Sequence, residues 1–415
     1  MVPCLQQLYD AAREALQDGD LRTANAQLKA MQGIDPDDMR TIETQGDIAV
    51  AEGKLNKARA TYLRLCDRTD DAEARGLGEY SLGLLDVSIE DREAAQDHFQ
   101  SAIELYKEAG ATHRLKLALG ALGQLASETG ELQLAVDTLR ELLAIGPTSD
   151  PEDEEAAQFQ AGDDGEAYRL LAETLRMLGQ LSGAEAAFRQ AIDNFESIDD
   201  DHSKSACLDG LGVVMQIAGR LDEAEKLHMQ CLEISESEED LEVMSTAYGN
   251  LTMLSTHRKD WQAAIEWAQK SLKADKALGN EDGIATTHLH LASIEIARKN
   301  FDLAQKHLSK ARKYYQAHGT PLDMLAVISN SAELHLQRGD LATAEKELLE
   351  ALRMAEEMGH GDGIAKVNDQ LAELRKAQGR PEEARAYWQL SLAQYEALGS
   401  PPIIQEIKSN LEKLG

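Results

Sequence analysis

The sequence contains few aromatic residues, prolines and cysteines, and each shortage excludes a class of protein. Aromatic side chains make up 4% of the 415 residues, and there are 8 prolines and 4 cysteines. The cysteines are scattered and form no CxxC pair, which excludes a disulfide-rich scaffold and a zinc-finger type of site. No long run alternates apolar and polar residues, so the sequence predicts no sheet. The abundant alanine, leucine, glutamate and glutamine favour helix instead.

An excess of positive charge and long apolar runs are also missing. The chain has 42 Lys and Arg against 74 Asp and Glu, a formal net charge of −32 at pH 7. Because phosphate groups are bound by clustered positive charge, we expect neither nucleic acid nor a membrane surface as a partner. No stretch approaches the roughly 20 apolar residues of a membrane span, and the amino terminus lacks a signal-peptide pattern. We therefore expect a cytoplasmic protein, and its oligomeric state stays open.

Motifs of catalysis and of metal or cofactor binding are absent from the sequence as well. It has no Gly-rich phosphate loop, nucleophile elbow or paired Cys–His pattern. His288 and His290 stand two residues apart, whereas two ligands on one helix need a spacing of three or four to share a metal ion. We expect a protein that is not an enzyme, with no catalytic residue, no cofactor and no metal.

What the sequence does contain is a repeat. An apolar residue follows a short turn and an alanine stands three places later, as in Leu221 with Ala224. The pairing recurs every 40 residues from Leu221 to Pro381 and extends back toward the amino terminus. A fixed period of this size predicts a stacked-repeat protein. We call the first residue of each pair an anchor, and the anchors are Leu21, Leu55, Arg92, Leu132, Leu181, Leu221, Trp261, Phe301, Leu341 and Pro381.

The residues around the anchors predict a helical hairpin in each repeat. Turns such as Asp18-Gly19-Asp20 provide Gly for a left-handed helix end and Asp to cap the next helix. A large residue followed by a small one recurs ten and nine residues before the anchor, as in Leu82-Gly83, and small side chains allow close helix packing. The longer repeats also have Gly 18 residues after the anchor, predicted to cap a helix: Gly110, Gly279, Gly319, Gly359 and Gly399.

A 34-residue helix–turn–helix unit with small residues at fixed places resembles the tetratricopeptide repeat (TPR). The step from Leu21 to Leu55 is 34 residues, and from the third repeat onward the period is about 40. These elongated repeats are similar to those of spindle-orientation scaffolds, kinesin light chains and bacterial peptide-sensing regulators. The resemblance implies an all-α, right-handed superhelical solenoid of about ten TPR units with a C-terminal capping helix.

The spacing of the anchors predicts a single solenoid over residues 1–415, divided into five segments. Two repeats of about 34 residues occupy 1–70, and two of about 40 residues occupy 71–146. An acidic insertion follows at 147–165, because Leu132 and Leu181 are 49 residues apart. It is interpreted as a loop or as the start of an overlong helix, either passive or acting as a flap over the groove. Six repeats of about 40 residues at 166–400 and a capping helix at 401–415 complete the chain.

Binding residues are predicted on the first helix of each repeat, which the resemblance places on the concave side. Eleven residues before the last four anchors stand amide or imidazole side chains, which both donate and accept hydrogen bonds to a peptide backbone. The position eight residues before the anchor is expected to face the same groove. The predicted binding residues are Asn250, Met253, His257, His290, Asn330, Glu333, Gln370 and Glu373.

Two functions follow from this pattern and both stay open. The first is a non-enzymatic protein–protein interaction scaffold that binds a peptide or partner helix in the concave groove. The acidic composition favours a ligand of basic character, rich in Lys or Arg. The second is a ligand- or peptide-responsive regulator whose helical array changes shape on binding.

Overall fold

The structure is a computed structural model that describes residues 4–68, 70–146, 154–398 and 401–414. Within these ranges the chain forms twenty-one α-helices and no strand, which confirms the prediction of an all-α helical-repeat fold. The helices divide into two compact units, residues 1–174 and 175–415, and the division falls inside the ninth helix.

Unit 1 contains four helical hairpins and most of the ninth helix. In each hairpin an odd-numbered helix packs against the even-numbered helix that follows it. The helices are α1 (Leu5–Gln17), α2 (Leu21–Ile34), α3 (Met39–Ala51), α4 (Leu55–Cys66), α5 (Ala72–Ser88), α6 (Arg92–Ala109), α7 (Thr112–Glu128), α8 (Leu132–Ala144) and α9 (Glu154–Met177).

Unit 2 begins with the last turn of α9 and contains five further complete hairpins and a terminal helix. Its helices are α10 (Leu181–Ser197), α11 (Asp201–Ile217), α12 (Leu221–Ser237), α13 (Leu241–His257), α14 (Trp261–Leu278), α15 (Glu281–Ala297), α16 (Phe301–His318), α17 (Pro321–Arg338), α18 (Leu341–Glu357), α19 (Gly361–Ala377), α20 (Pro381–Leu398) and α21 (Pro401–Lys413). The terminal helix α21 packs on α20, and its Ile407 is buried in one cluster with Trp388.

Every anchor is the first residue of an even-numbered helix. The turn before the first anchor follows the predicted chemistry: Gly19 has φ +72°, and the Asp20 carboxylate accepts from the backbone N–H groups of Arg22 and Thr23. The alanine three residues after each anchor is fully buried in all ten repeats, so this position sets how closely the helices approach.

The predicted small residues lie where helices are in direct contact. A Cβ added to Gly83 would stand 2.6 Å from the Phe99 ring, and one added to Gly123 would stand 2.8 Å from the Leu139 side chain. Since real Cβ atoms do not approach other atoms so closely, these hairpins require glycine. The pattern of a large residue followed by a small one therefore reflects packing within the hairpin.

One predicted glycine cap, Gly319, does end its helix but in an extended instead of a left-handed conformation. Gly110, Gly279 and Gly359 have φ of +67°, +69° and +64°, as a left-handed helix end requires, but Gly319 has φ −81° and ψ 161°. Pro321 is the first residue of α17. It holds the residue before it, Thr320, in an extended conformation with φ −80° and ψ 167°. The connection from α16 therefore runs extended instead of turning through a left-handed glycine. Gly399 lies outside the described residues.

The predicted acidic insertion is helical where the structure describes it. Residues 154–165 form the start of α9, which at 24 residues exceeds every other helix of the described chain. The rest of the predicted insertion, 147–153, lies outside the described residues.

Neighbouring odd-numbered helices contact one another directly, as α1 does α3 in unit 1 and α13 does α15 in unit 2. Among the described residues, no two even-numbered helices pack together to a comparable extent. An array of hairpins curves toward the side where its helices are crowded. We call the surface of the odd-numbered helices the inner face of each unit.

Candidate functional site

The eight predicted binding residues lie on four successive odd-numbered helices of unit 2, α13, α15, α17 and α19. They differ in exposure. Met253 and His257 are exposed, Gln370 is buried, and the other five are partly exposed. The inner face of unit 2 thus brings the predicted residues onto one surface, but it does not leave all of them open to a ligand.

Two of the predicted amides hold neighbouring helices together. Asn250 Nδ2 donates to Asp209 Oδ2 over 2.7 Å, which joins α13 to α11. The other Asp209 oxygen lies 2.7 Å from Nδ1 of His228, which is fully buried. Gln370 Nε2 donates to the backbone oxygen of Ser329 over 3.2 Å and joins α19 to α17. The side-chain NH₂ groups of Asn250 and Gln370, which were predicted to bind a peptide, therefore donate to groups within the protein instead.

His290 and Asn330 are the polar side chains with more freedom. Burial and, to a smaller extent, the charge of Lys366 together lower the pKa of His290 to about 4, so the ring is neutral at pH 7. A neutral imidazole both donates and accepts a hydrogen bond. Within the described chain, the side-chain amide of Asn330 makes no hydrogen bond, so it is available to a ligand.

Carboxylates gather at the carboxyl-terminal end of this face. Burial and, to a smaller extent, the negative charges of Glu373, Glu406 and Glu333 together raise the pKa of Asp369 to about 6. Trp388 Nε1 donates to Asp369 Oδ1 over 2.9 Å and fixes that carboxyl. We call Glu333, Asp369, Glu373 and Glu406 the acidic cluster. A carboxyl whose pKa is raised by its neighbours marks a place where a cation would be stabilised.

Besides Asp369, two of these carboxylates are not balanced by Lys or Arg within the described chain. Glu373 has Lys376 at 3.2 Å, a partner on its own helix, but Glu333 accepts only a neutral amide hydrogen bond from Gln337. Within the described chain, Glu406 has no ion pair. The sequence pattern missed Glu406 because it lies in α21, which has no anchor from which to count.

A second polar surface lies on the inner face of unit 1 and was not predicted. It includes Tyr9, Arg13, Glu43 and Asp47, with Tyr9 donating to Glu43 over 2.8 Å. Its residues stand at fixed distances from the anchors, which is the sequence signal that could have found it. Arg13 and Asp47 stand eight residues before Leu21 and Leu55. Tyr9 and Glu43 stand twelve residues before the same anchors.

The described residues contain no group of three or more His, Cys, Asp or Glu side chains arranged to hold a metal ion. Nor does any helix in the described ranges have the length and apolar character needed to cross a membrane.

Known solved structures share this fold. RapI in its apo form has a TM-score of 0.64 at 12% identity, covering 94% of this chain and 97% of that one. Aspartyl phosphate phosphatase F from Bacillus subtilis has a TM-score of 0.57 at 12% identity, covering 84% and 93%. The apo form of the quorum sensor NprR from B. thuringiensis has a TM-score of 0.56 at 16% identity, covering 86% and 99%. At such low identity these likenesses show the fold alone.

The sequence comparisons agree with the repeat geometry. A TPR repeat-containing protein of Synechococcus elongatus is 28% identical over 211 residues, which are 45% of this chain and 51% of that protein. The chain thus spans about half the length of this relative. A family model of the MalT-like TPR region matches residues 214–398, and two tetratricopeptide-repeat models match 163–237 and 80–150. With the anchored hairpins, these matches show that the chain belongs to the tetratricopeptide-repeat family.

Proposed function

We propose that the protein is a non-enzymatic interaction scaffold and that the inner face of unit 2 binds a Lys- or Arg-rich peptide or partner helix. The observation that carries the proposal is the acidic cluster, which lies on the same face as the row of polar positions. A peptide laid across α15, α17 and α19 meets His290 and Asn330 along its backbone and the acidic cluster with its side chains.

The charges of the cluster favour a basic ligand on physical grounds. Asp369 keeps a proton more readily than an exposed carboxyl, because its burial and then the three neighbouring carboxylates make its ionisation unfavourable. A Lys or Arg side chain of the ligand removes that cost and forms charge-assisted hydrogen bonds. The same attraction accelerates the encounter of the two molecules.

Neutralising the cluster tests the proposal. The variant Glu333→Gln, Glu373→Gln, Glu406→Gln keeps the shape of each side chain and removes three charges. The probe is a fluorescein-labelled, twelve-residue peptide of alternating Lys and Ser, and fluorescence anisotropy gives its affinity. We expect the variant to bind at least tenfold more weakly at low salt, roughly 1.4 kcal/mol of binding free energy.

The matched control removes three charges from even-numbered helices. Glu350, Glu356 and Glu382 are exposed on α18 and α20, and their triple Gln variant has the same net charge as the test variant. We expect this control to bind the peptide as the unmodified protein does. Equal losses in both variants would mean that the peptide responds only to total charge, and the proposed face would be wrong.

A ligand-responsive change of shape is the second candidate, and one contact within unit 2 favours it. The turn after α9 meets the end of α20, where a Cβ on Gly179 would stand 2.5 Å from the backbone oxygen of Leu398. Gly179→Ala would push these segments apart. We expect X-ray scattering to show a larger radius of gyration for this variant, and a change on adding the peptide only in the unmodified protein. Identical scattering with and without peptide in both proteins would exclude the responsive mechanism.

A further inference from the structure

Unit 1 contains a cavity that the proposed function does not use. It has a volume of about 740 Å³ and lies on the inner face, between α1, α3, α5 and α7, with side chains from α4 and α6 closing its floor. A cavity of this size accommodates a small organic molecule or one long side chain of a partner.

Tyrosines are concentrated around this cavity. The whole sequence has 10 tyrosines, and four of them line it: Tyr9, Tyr62, Tyr80 and Tyr106. They come from α1, α4, α5 and α6, so only the folded hairpins bring them together. The negative face of an aromatic ring attracts a cation, and several rings around one space make a cage for it.

Two carboxylates occupy the same space and are held by tyrosine hydroxyls. Tyr9 donates to Glu43 Oε2 over 2.8 Å, and Tyr62 donates to Asp47 Oδ1 over 2.6 Å. Glu43 and Asp47 are four residues apart on α3 and therefore project from the same side of the helix. Within the described part of the chain, the second oxygen of each carboxyl, Glu43 Oε1 and Asp47 Oδ2, has no hydrogen-bond donor.

The cations nearby do not balance these carboxylates. Arg114 lines the cavity and its charge acts on Glu43, but its Nε also donates to Glu73 Oε1 over 3.1 Å, so this cation is shared between two carboxylates. Arg13 remains, and its guanidinium carbon lies 5.8 Å from the centre of the Tyr9 ring. Asp10 also lines the cavity, so two cations, Arg13 and Arg114, stand against four carboxylates, those of Asp10, Glu43, Asp47 and Glu73. Consistent with this imbalance, burial and the charge of Glu43 raise the pKa of Asp47 to about 7.

We propose that this cavity is a second ligand site, which binds an organic cation with its ammonium or guanidinium group between Glu43 and Asp47 and among the tyrosine rings. The N–H groups of the ligand donate to Glu43 Oε1 and Asp47 Oδ2, and the rings of Tyr9, Tyr62 and Tyr80 surround its alkyl chain. The site lies wholly in unit 1, so it does not depend on the peptide site proposed for unit 2.

Two probes distinguish the sources of such a cation. Spermidine represents a free polyamine, and the blocked tripeptide acetyl-Gly-Lys-Gly-amide represents a Lys side chain of a protein partner. Isothermal titration of the full-length chain measures both at pH 8. Binding of spermidine alone assigns a small-molecule site, binding of the peptide alone or of both assigns a site for Lys side chains, and binding of neither overturns the proposal.

Near-isosteric variants locate the binding. Asp47→Asn and Glu43→Gln each keep an acceptor for their tyrosine hydroxyl but lose the charge, and we expect each to weaken the probe that binds by at least tenfold. Tyr80→Leu removes a ring, whereas Tyr80→Phe keeps it. We expect a loss of threefold or more for the first and little change for the second, since within the described chain no hydrogen bond to the Tyr80 hydroxyl is present.

The double variant Glu350→Gln, Glu356→Gln, on the exposed surface of α18, controls for attraction to the overall negative charge. It should bind the probes as the unmodified protein does. If Asp47→Asn and Glu43→Gln weaken binding no more than this control, the cavity is not the site. Circular dichroism melting confirms that each variant is folded, and the Tyr80 pair still decides the matter if a carboxyl variant is not.

Discussion

The inner faces of the two units use one architecture for different chemistry. In unit 1 the carboxylates of Glu43 and Asp47 are enclosed with tyrosines in a cavity. In unit 2 the carboxylates of the acidic cluster lie along three helices beside His290 and Asn330. Positions eight and twelve residues before an anchor contribute in both units: Asp47 and Glu43 in unit 1, and Glu333, Glu373 and Asp369 in unit 2. The comparison teaches that the repeat fixes where binding residues stand, whereas the side chains at those positions decide whether the surface is a pocket or a groove.

The largest effect is expected from removing Trp388. This side chain of α20 is fully buried in a cluster with residues of α19 and α21, and its indole N–H donates to Asp369. Trp388→Ala should lower the free energy of unfolding by about 3–5 kcal/mol. Hydrogen exchange should show that protection is lost in α19–α21 and that protection in α1–α8 is unchanged. Trp261→Ala, at a partly exposed anchor, is the control and should cost much less. Equal loss of protection in both units would show that they unfold as one.

The two aspartates with raised pKa values should respond differently to pH. Asp47 has a pKa raised to about 7 and Asp369 one raised to about 6, each from 3.8. Because the folded state holds these protons more tightly, their contribution is complete below pH 4 and is lost as pH rises through the folded pKa. Asp47→Asn should therefore stabilise the protein at pH 8 by up to about 4 kcal/mol, and Asp369→Asn by up to about 3 kcal/mol.

Urea unfolding at pH 4, 6 and 8 measures both variants. At pH 4 each should differ from the unmodified protein by less than about 1 kcal/mol, because pH 4 is close to the pKa of the unfolded aspartates, which have lost only about half of their protons there. At pH 6 the Asp369 variant should already show most of its gain, while the Asp47 variant should still gain on going to pH 8. Variants that are less stable than the unmodified protein at pH 8 would show that these carboxylates are stabilised by partners when ionised.

Two helical glycines provide the next comparison. Gly83 in α5 of unit 1 packs against Phe99, whereas Gly249 in α13 of unit 2 has nothing within 4 Å of an added Cβ. Gly83→Ala should cost about 1–3 kcal/mol through overpacking. Gly249→Ala should gain up to about 1 kcal/mol, because alanine favours helix. Thermal melting of both variants measures the difference, and a neutral Gly83→Ala would mean that the hairpin opens without cost.

The smallest effect is expected at Asn330. Asn330→Ala should change the free energy of unfolding by less than about 0.5 kcal/mol, since within the described residues the amide makes no hydrogen bond. Asn250→Ala leaves the Asp209 Oδ2 atom without its donor and should lower the free energy of unfolding by about 1 kcal/mol. Anisotropy with the Lys/Ser peptide should show weaker binding for Asn330→Ala by two- to fivefold. Unchanged affinity would remove Asn330 from the proposed site.

Most of the fold could be predicted from the sequence because its determinants are local and repeated. The anchors are the first residues of helices, and the alanine three places on is buried in each repeat. Both depend on helix periodicity and turn chemistry within a few residues. Gly319 ends α16 as predicted, but without the left-handed conformation that a glycine at this position usually adopts.

The sites were less predictable because they depend on contacts between repeats. Counting from the anchors placed Asn250 on the inner face, but only the folded chain shows that Asp209, 41 residues earlier, holds it. The cavity of unit 1 needs Tyr62 from α4, a helix on which no binding residue was expected. Its tyrosine and carboxylate partners are 15 to 34 residues apart in the chain. The spacing from the anchors recurs at Tyr9, Glu43 and Asp47, but no pattern within one repeat shows that these side chains meet in a cavity.

Photo-crosslinking tests the proposed binding face of unit 2 most directly. A Lys/Ser peptide with a benzophenone group at its centre is irradiated with the full-length protein, and mass spectrometry locates the crosslinked residues. We predict crosslinks on α15, α17 and α19 that disappear in the Glu333, Glu373, Glu406 variant and persist in the matched control. Crosslinks on even-numbered helices, or an unchanged pattern in that variant, would contradict the proposed face.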